Sequence, residues 1–256
     1  MALAEFIGCS LVAFGPSLSM FCVTIATCPI RVIIFMTAAF FWLVSLLLSS
    51  MVWCATMAIF NPSNKGNWVP FGVIEAVLFQ ELFRFLFYKL LRKAEVGLKK
   101  VTEVGTDGHF ASDNRQTLAY VSGLAFGTIS GGFSLLNVLA EIVGPASVGL
   151  FGQSEWFVLA SSLTTCLFIF LNTAWGVMLF HAYDTRNQVL IVLTIGLHLL
   201  CSLVTLFNMA ELYAASLFPI AIVTFICGGI AFRCAGGKFQ KLSTILSTSS
   251  TDASSQ

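Results

Sequence analysis

The stretch LAYVSGLAFGTISGGFSLLNVLA, residues 118–140, decides the architecture. It is almost wholly apolar, and it carries Gly123, Gly127 and Gly131 at four-residue spacing. On an α-helix that spacing stacks the three glycines on nearly one face and opens a groove along it. In lipid no hydrophobic drive holds helices together, so close backbone approach through small residues becomes a main source of affinity. A single G-x-x-x-G says little, because apolar helices are glycine-rich in any case. Two in tandem point to a docked neighbour. That neighbour is another span of this chain or a helix of a partner, and the glycines alone fit both equally.

The composition around this stretch is that of a polytopic membrane protein. Hydrophobic residues make up 57% of the 256, charged residues 10%, and mean hydropathy is +0.91. A soluble domain carries about 25% charge. Net charge is +1, so there is no basic surface for nucleic acid. The polar segments are too short for an independent soluble domain. Eight cysteines invite a disulfide reading. Cys22, Cys54, Cys166, Cys201 and Cys227, however, lie in apolar runs, with neither C-x-x-C nor zinc-ligand spacing. Small buried hydrophobes account for them better. Cys28 and Cys234 fall near membrane edges, where palmitoylation is a minor alternative. Asn61-Pro62-Ser63 is disqualified as a glycosylation triplet by its proline.

A bilayer needs about 20 apolar residues per helix. Seven runs meet that test: residues 2–27, 30–60, 68–91, 118–139, 156–180, 189–207 and 212–232. The first has no basic lead-in and carries Glu5, so it is expected to be a retained span. The sequence therefore predicts an all-α integral membrane protein, a seven-helix bundle over residues 1–237. Eleven basic residues cluster on one side, at the first, third and fifth loops and beyond the last span; Lys65 stands alone on the other. By the positive-inside rule the N-terminus is extracytosolic and the C-terminus cytosolic. The third loop, 92–114, is expected to be solvated and mobile, with Lys99 and Lys100 near anionic lipid as a minor alternative. The Ser/Thr-rich segment 238–256 is expected to be a disordered cytosolic tail.

Ionisable residues inside a membrane are costly and mark function by default. The third span holds Glu75, Gln80, Glu81 and Arg84. Glu81 and Arg84 are three apart and face each other on a helix, where a paired carboxylate and guanidinium are far cheaper to bury than either alone. The pair is read as structural, with a catalytic glutamate as the alternative. Glu75 has no partner within one turn and needs a neighbouring helix, a cavity or a proton. Asn172 and His198 sit in mid-span. A lone histidine is a hydrogen-bonded packing element or a base, and depth leaves both open. His181 and His109 receive no role. No metal ligand set or cofactor motif stands out.

Several membrane chemistries fall by elimination. Asp107, Asp113, Asp184 and Asp252 all lie outside the predicted spans, so an intramembrane aspartyl protease lacks its two acids. G-x-S-x-G and H-E-x-x-H are missing. A seven-helix receptor would show Asp-Arg-Tyr after the third span and Asn-Pro-x-x-Tyr in the last. A retinal protein would show a lysine in the seventh. None of these is present.

Taken together, these features resemble the anterior-pharynx-defective subunit of the γ-secretase complex. The similarity rests on FIGCSLVAFGP (6–16), PIRVIIFMTAAFFWLVSLLLSS (29–50), FQELFRFLFYKLLRKAEVGL (79–98) and LAYVSGLAFGTISGGFSLLNVLAE (118–141). Gly144-Pro145, WGV (175–177), HLL (198–200) and AFRCAGG (231–237) extend it over nearly all of residues 1–237. The resemblance implies a non-catalytic scaffold that assembles with presenilin, nicastrin and the presenilin enhancer subunit. Presenilin supplies the two aspartates in that family, and the complex cleaves single-span proteins such as Notch and the amyloid precursor protein. It further implies residence in the endoplasmic reticulum and Golgi, the plasma membrane and endosomes. The family's glycine motif maps onto Gly123, Gly127 and Gly131, which shifts the expectation for the groove toward an assembly face. The family usually carries two intramembrane histidines. The second matches His198; the first position is Asn172 here, which retains hydrogen bonding without acid–base chemistry. A distant likeness to intramembrane prenyl-protein proteases makes Gln80, Glu81, Arg84, Asn172 and His198 a degraded site reused as polar glue. A stand-alone glutamate/histidine protease is the alternative.

Overall fold

The structure is a computed structural model that describes residues 2–60, 65–102, 115–143 and 156–237. The described residues form seven α-helices and no strand. These are α1 (Ala2–Thr24), α2 (Pro29–Phe60), α3 (Val69–Thr102), α4 (Arg115–Val143), α5 (Phe157–Thr185), α6 (Gln188–Val204) and α7 (Tyr213–Cys234). A 3-10 turn over Lys65–Trp68 leads into α3, and another over Thr205–Ala210 extends α6. Where lipid supplies no hydrogen bonds, every backbone amide needs a partner within its own segment, and the helix is the form that provides one. Among the described residues six stretches are long and apolar enough to cross a membrane: Leu3–Thr24, Pro29–Phe60, Arg115–Leu136, Phe157–Thr185, Gln188–Ala210 and Tyr213–Cys234. The third helix is not among them, since Glu75, Glu81 and Arg84 interrupt its apolar run.

One expectation about connections changes. The segment from Arg92 is not loop at its start, because α3 continues to Thr102. Residues 103–114, and the tail 238–256, lie outside the described residues. Between α5 and α6 the chain turns within two residues. Arg186 takes φ 54°, and its N–H meets the last carbonyls of α5. Asn187 then caps α6 by accepting from Leu190 N at 3.2 Å.

α5 is the central helix. It packs against α4, α7, α1 and α6, while α2 rests on α3 and α4, and α3 also meets α6. Within α5 every residue from 171 to 180 is buried, and 67% of the span is enclosed against 17% for α1 and 22% for α7. The peripheral helices instead expose Val23, Val189, Phe218 and Phe225, the last at 82%. Such a surface is tolerable only against lipid or another protein. Contacts also set direction. Gly123 meets Thr173 and Gly131 meets Thr165, so α4 and α5 run antiparallel. Arg84 meets Asn172 and Arg92 meets Asp184, so α3 and α5 run parallel.

Candidate functional site

The glycine groove is filled from within the chain. A Cβ built on Gly123 would lie 2.8 Å from Thr173 O and 3.0 Å from Asn172 O; one on Gly127 would lie 2.7 Å from Ile169 O. On Gly131 the nearest atom is a side-chain one, Thr165 Cγ2 at 2.8 Å. α5 therefore occupies the groove, so of the two neighbours that the glycines allow, a span of this chain fills it. Gly176 completes the seam, since a Cβ there would stand 2.7 Å from Gly123 Cα. Sequence reading passed over Gly176. The signal was the complementary series Thr165, Ile169, Thr173 and Gly176 on one face of α5.

The seam presents Asn172 to α3, and there the polar residues meet. Arg84 Nη2 donates to Asn172 Oδ1 at 2.6 Å, and Gln80 Nε2 donates to the same oxygen at 2.9 Å. Asn172 Nδ2 returns a bond to Phe168 O at 3.0 Å within α5. Glu81 lies 3.7 Å from Arg84 Nη2, which makes an ion pair but no hydrogen bond. Its close partner is His198 on α6, whose Nδ1 sits 2.6 Å from Glu81 Oε1. With Glu81 as the carboxylate, Nδ1–H donates. The His198 ring stacks on Trp175 with centroids 4.3 Å apart, and Arg84 lies over Phe126 at 5.2 Å. All of Glu81, Arg84, Asn172 and His198 are buried. Among the described residues Glu81 Oε2 and Arg84 Nε and Nη1 have no hydrogen-bond partner.

Gln80, Glu81, Arg84, Asn172 and His198 thus form one cluster joining α3, α5 and α6. Glu75 does not belong to it. It is buried on α3 beside Ser49 of α2. Among the described residues no group of three or more His, Cys, Asp or Glu is placed to hold a metal ion.

The profile of the family described as Aph-1 protein matches residues 4–238. The chain belongs to the Aph-1 family. A relative from Drosophila melanogaster, named gamma-secretase subunit Aph-1, is 45% identical over 93% of this chain and 95% of its own. One from Danio rerio, gamma-secretase subunit Aph-1b, is 39% identical over 98% and 96%. The Homo sapiens gamma-secretase subunit APH-1B is 39% identical over 96% and 94%. Seam and cluster both fall inside the stretch that matches the Aph-1 family.

A second polar group ties α3 to the end of α5 and the start of α4. Arg92 grips Asp184 as a fork, Nε to Oδ1 at 3.1 Å and Nη2 to Oδ2 at 2.6 Å, and Tyr88 Oη donates to Oδ1 at 2.8 Å. Glu95 then bridges Arg92 at 3.1 Å and Arg115 at 3.2 Å. In this Aph-1 chain Asp184 entered the sequence reading only as an acid outside the spans. Its role depends on the length of α3, which no local pattern announces.

Asn172→Leu is expected to cost about 1–2 kcal/mol, the worth of an interhelical hydrogen bond in lipid, because Arg84 and Gln80 lose a shared acceptor. Thermal unfolding of the detergent-solubilised chain measures it. A variant as stable as the parent would show that the Asn172 bonds are dispensable.

Proposed function

We propose that the chain is a non-catalytic subunit of γ-secretase, a seven-span scaffold that holds presenilin and nicastrin for cleavage of single-span proteins such as Notch and the amyloid precursor protein. Membership in the Aph-1 family supports this reading, as do the printed names of its relatives. The observation that carries it is the engagement of the polar cluster. Gln80 and Arg84 donate to Asn172, and Glu81 bonds His198, so buried polar groups are used to tie helices together.

In this reading α3 is the seventh span. It is carried across the bilayer by its packing on α2 and α6 and by mutual pairing of its charges. The basic residues place the N-terminus outside the cytosol, and residues 238–256 form a cytosolic tail. The presenilin enhancer subunit completes the assembly, in the endoplasmic reticulum, Golgi, plasma membrane and endosomes. Since α5 fills the glycine groove, Gly123, Gly127 and Gly131 act on assembly indirectly, by setting where α5 presents its other faces.

Isolation of the chain from native membranes is expected to bring presenilin, nicastrin and the enhancer subunit in stoichiometric amounts. Recovery without them would overturn the scaffold. One observation favours a second reading: the 2.6 Å Glu81–His198 contact orients a histidine as triads do. Cleavage of a membrane substrate by the purified chain alone, lost in Glu81→Gln and His198→Ala, would establish a stand-alone protease instead.

A further inference from the structure

The ends of α1, α5 and α7 and the starts of α2 and α4 enclose an open cavity of about 620 Å³. The volume falls in the range of small-molecule sites, about 300–1,000 Å³. Its polarity is graded along the helices. Arg31, in the first turn of α2, and Gln116 and Thr117, in the first turn of α4, line it at the rim. Phe170 of α5 and Gly228 of α7 line it deeper, each about 10 Å along its helix from Val177 and Ala235 nearer the rim.

Among the described residues of the lining, Arg31 is the charged one. Its Nη1 donates to Thr24 O at 2.8 Å, which fixes the guanidinium at the end of α1. Three hydroxyls are already spent. Thr24 donates to Met20 O, Tyr120 then donates to Thr24 Oγ1 at 3.0 Å, and Thr173 donates to Ile169 O at 2.8 Å. Thr117 contributes a further hydroxyl, and Gln116 Oε1 is enclosed with no hydrogen-bond partner among the described residues. A wholly apolar occupant would leave these groups unpaired out of water, which is costly. Farther in, the wall turns apolar through Phe170, Ala174, Gly228 and Phe232.

We propose that this cavity binds an anionic phospholipid, with its phosphodiester against Arg31 and Thr117 and an acyl chain along α5 and α7. A planar guanidinium matches phosphate oxygens in charge and in shape. The basic residues of the chain place this end of the bundle at the cytosolic leaflet, where anionic lipids lie and basic pockets between helices take their headgroups. The site goes beyond the scaffold reading and stands or falls independently of it.

Native mass spectrometry of the full chain, released from micelles doped with equal amounts of phosphatidylglycerol and phosphatidylcholine, tests this. Retained phosphatidylglycerol is expected to exceed phosphatidylcholine about fivefold, the usual worth of one basic residue against an anionic lipid. Arg31→Gln is expected to bring the two lipids to parity. Lys89→Gln, exposed on α3 and outside the lining, is expected to leave the preference unchanged. A Cβ on Gly228 meets nothing within 4 Å, so Gly228→Leu fills the apolar wall without a backbone clash. It is expected to lose the lipid, and it keeps the test available should Arg31→Gln fail to fold. Glycerol 3-phosphate in excess, the same phosphate without acyl chains, is expected not to displace the lipid. Parity on the parent chain, a preference that survives Arg31→Gln or disappears in Lys89→Gln, undiminished retention by Gly228→Leu, or displacement by glycerol 3-phosphate would each overturn the site.

Discussion

Gly127→Ala is expected to destabilise the bundle by about 1–3 kcal/mol, the usual cost of forcing a methyl group into a packed interior. The added carbon would meet Ile169 O at 2.7 Å and Ile169 Cα at 2.9 Å. Both are backbone atoms of the central helix, so α5 as a whole must move and cannot merely turn a side chain. Gly123→Ala meets the same obstacle at Thr173 O and Asn172 O. Gly131→Ala is expected to cost less, because its nearest contacts are Thr165 Cγ2 and the end of the Ile169 side chain, which can give. Gly132→Ala meets nothing within 4 Å and is expected to leave stability unchanged. The graded order is what thermal unfolding in detergent should return. Leucine at 123 or 127 should go further and abolish co-purification with presenilin and nicastrin while the chain still inserts. Equal losses at 127 and 132 would show that seam packing is irrelevant, and full partner recovery from Gly127→Leu would end its link to assembly.

The ladder was legible in the sequence because four-residue spacing has one meaning on a helix. Its occupant was not. The complement on α5 is a mixed run of Thr165, Ile169, Thr173 and Gly176, which carries no motif until it is set against the glycines. Much the same holds for α3. Glu81 and Arg84 declared themselves by being charged in an apolar run, and their neighbourhood on one helix followed from spacing alone. What spacing could not reveal is that His198, 117 residues away, outcompetes Arg84 for the carboxylate. The stretch after Leu91 read as loop because its hydropathy falls. Polarity alone does not separate a solvated helix from a loop, and here the Arg92–Glu95 pair and the grip on Asp184 hold the helix onward to Thr102. Glu75 shares a helix with Glu81 but stands six residues away. Six residues is far from a whole number of turns, and it faces α2 instead.

Removing both charges from the cluster should cost less than the sum of removing each. Arg84→Met would leave Glu81 buried with His198 as its only hydrogen-bonding partner among the described residues, and without the guanidinium now 3.7 Å away. Breaking a buried pair in this way costs about 3–5 kcal/mol, because the survivor has lost its solvation without compensation. Arg84→Met also withdraws a donor from Asn172, so the α3–α5 tie weakens with it. Glu81→Gln keeps an acceptor for His198 Nδ1–H but leaves the guanidinium without its counter-charge, and is expected to be destabilising by a smaller amount. In the double variant Glu81→Gln/Arg84→Met no net charge remains, and Gln80 still donates to Asn172. The losses should therefore fall short of the sum of the singles by about 1–3 kcal/mol, the range of coupling between groups in direct contact. Unfolding midpoints for the four members of the cycle give that coupling, and presenilin recovered with each reports on assembly. Additive losses would show that Glu81 and Arg84 do not compensate one another at 3.7 Å, and that the cluster depends on its hydrogen bonds to His198 and Asn172 alone. A stable double variant that recovers its partners would carry the argument one step further. The buried charges would then be unnecessary for the scaffold.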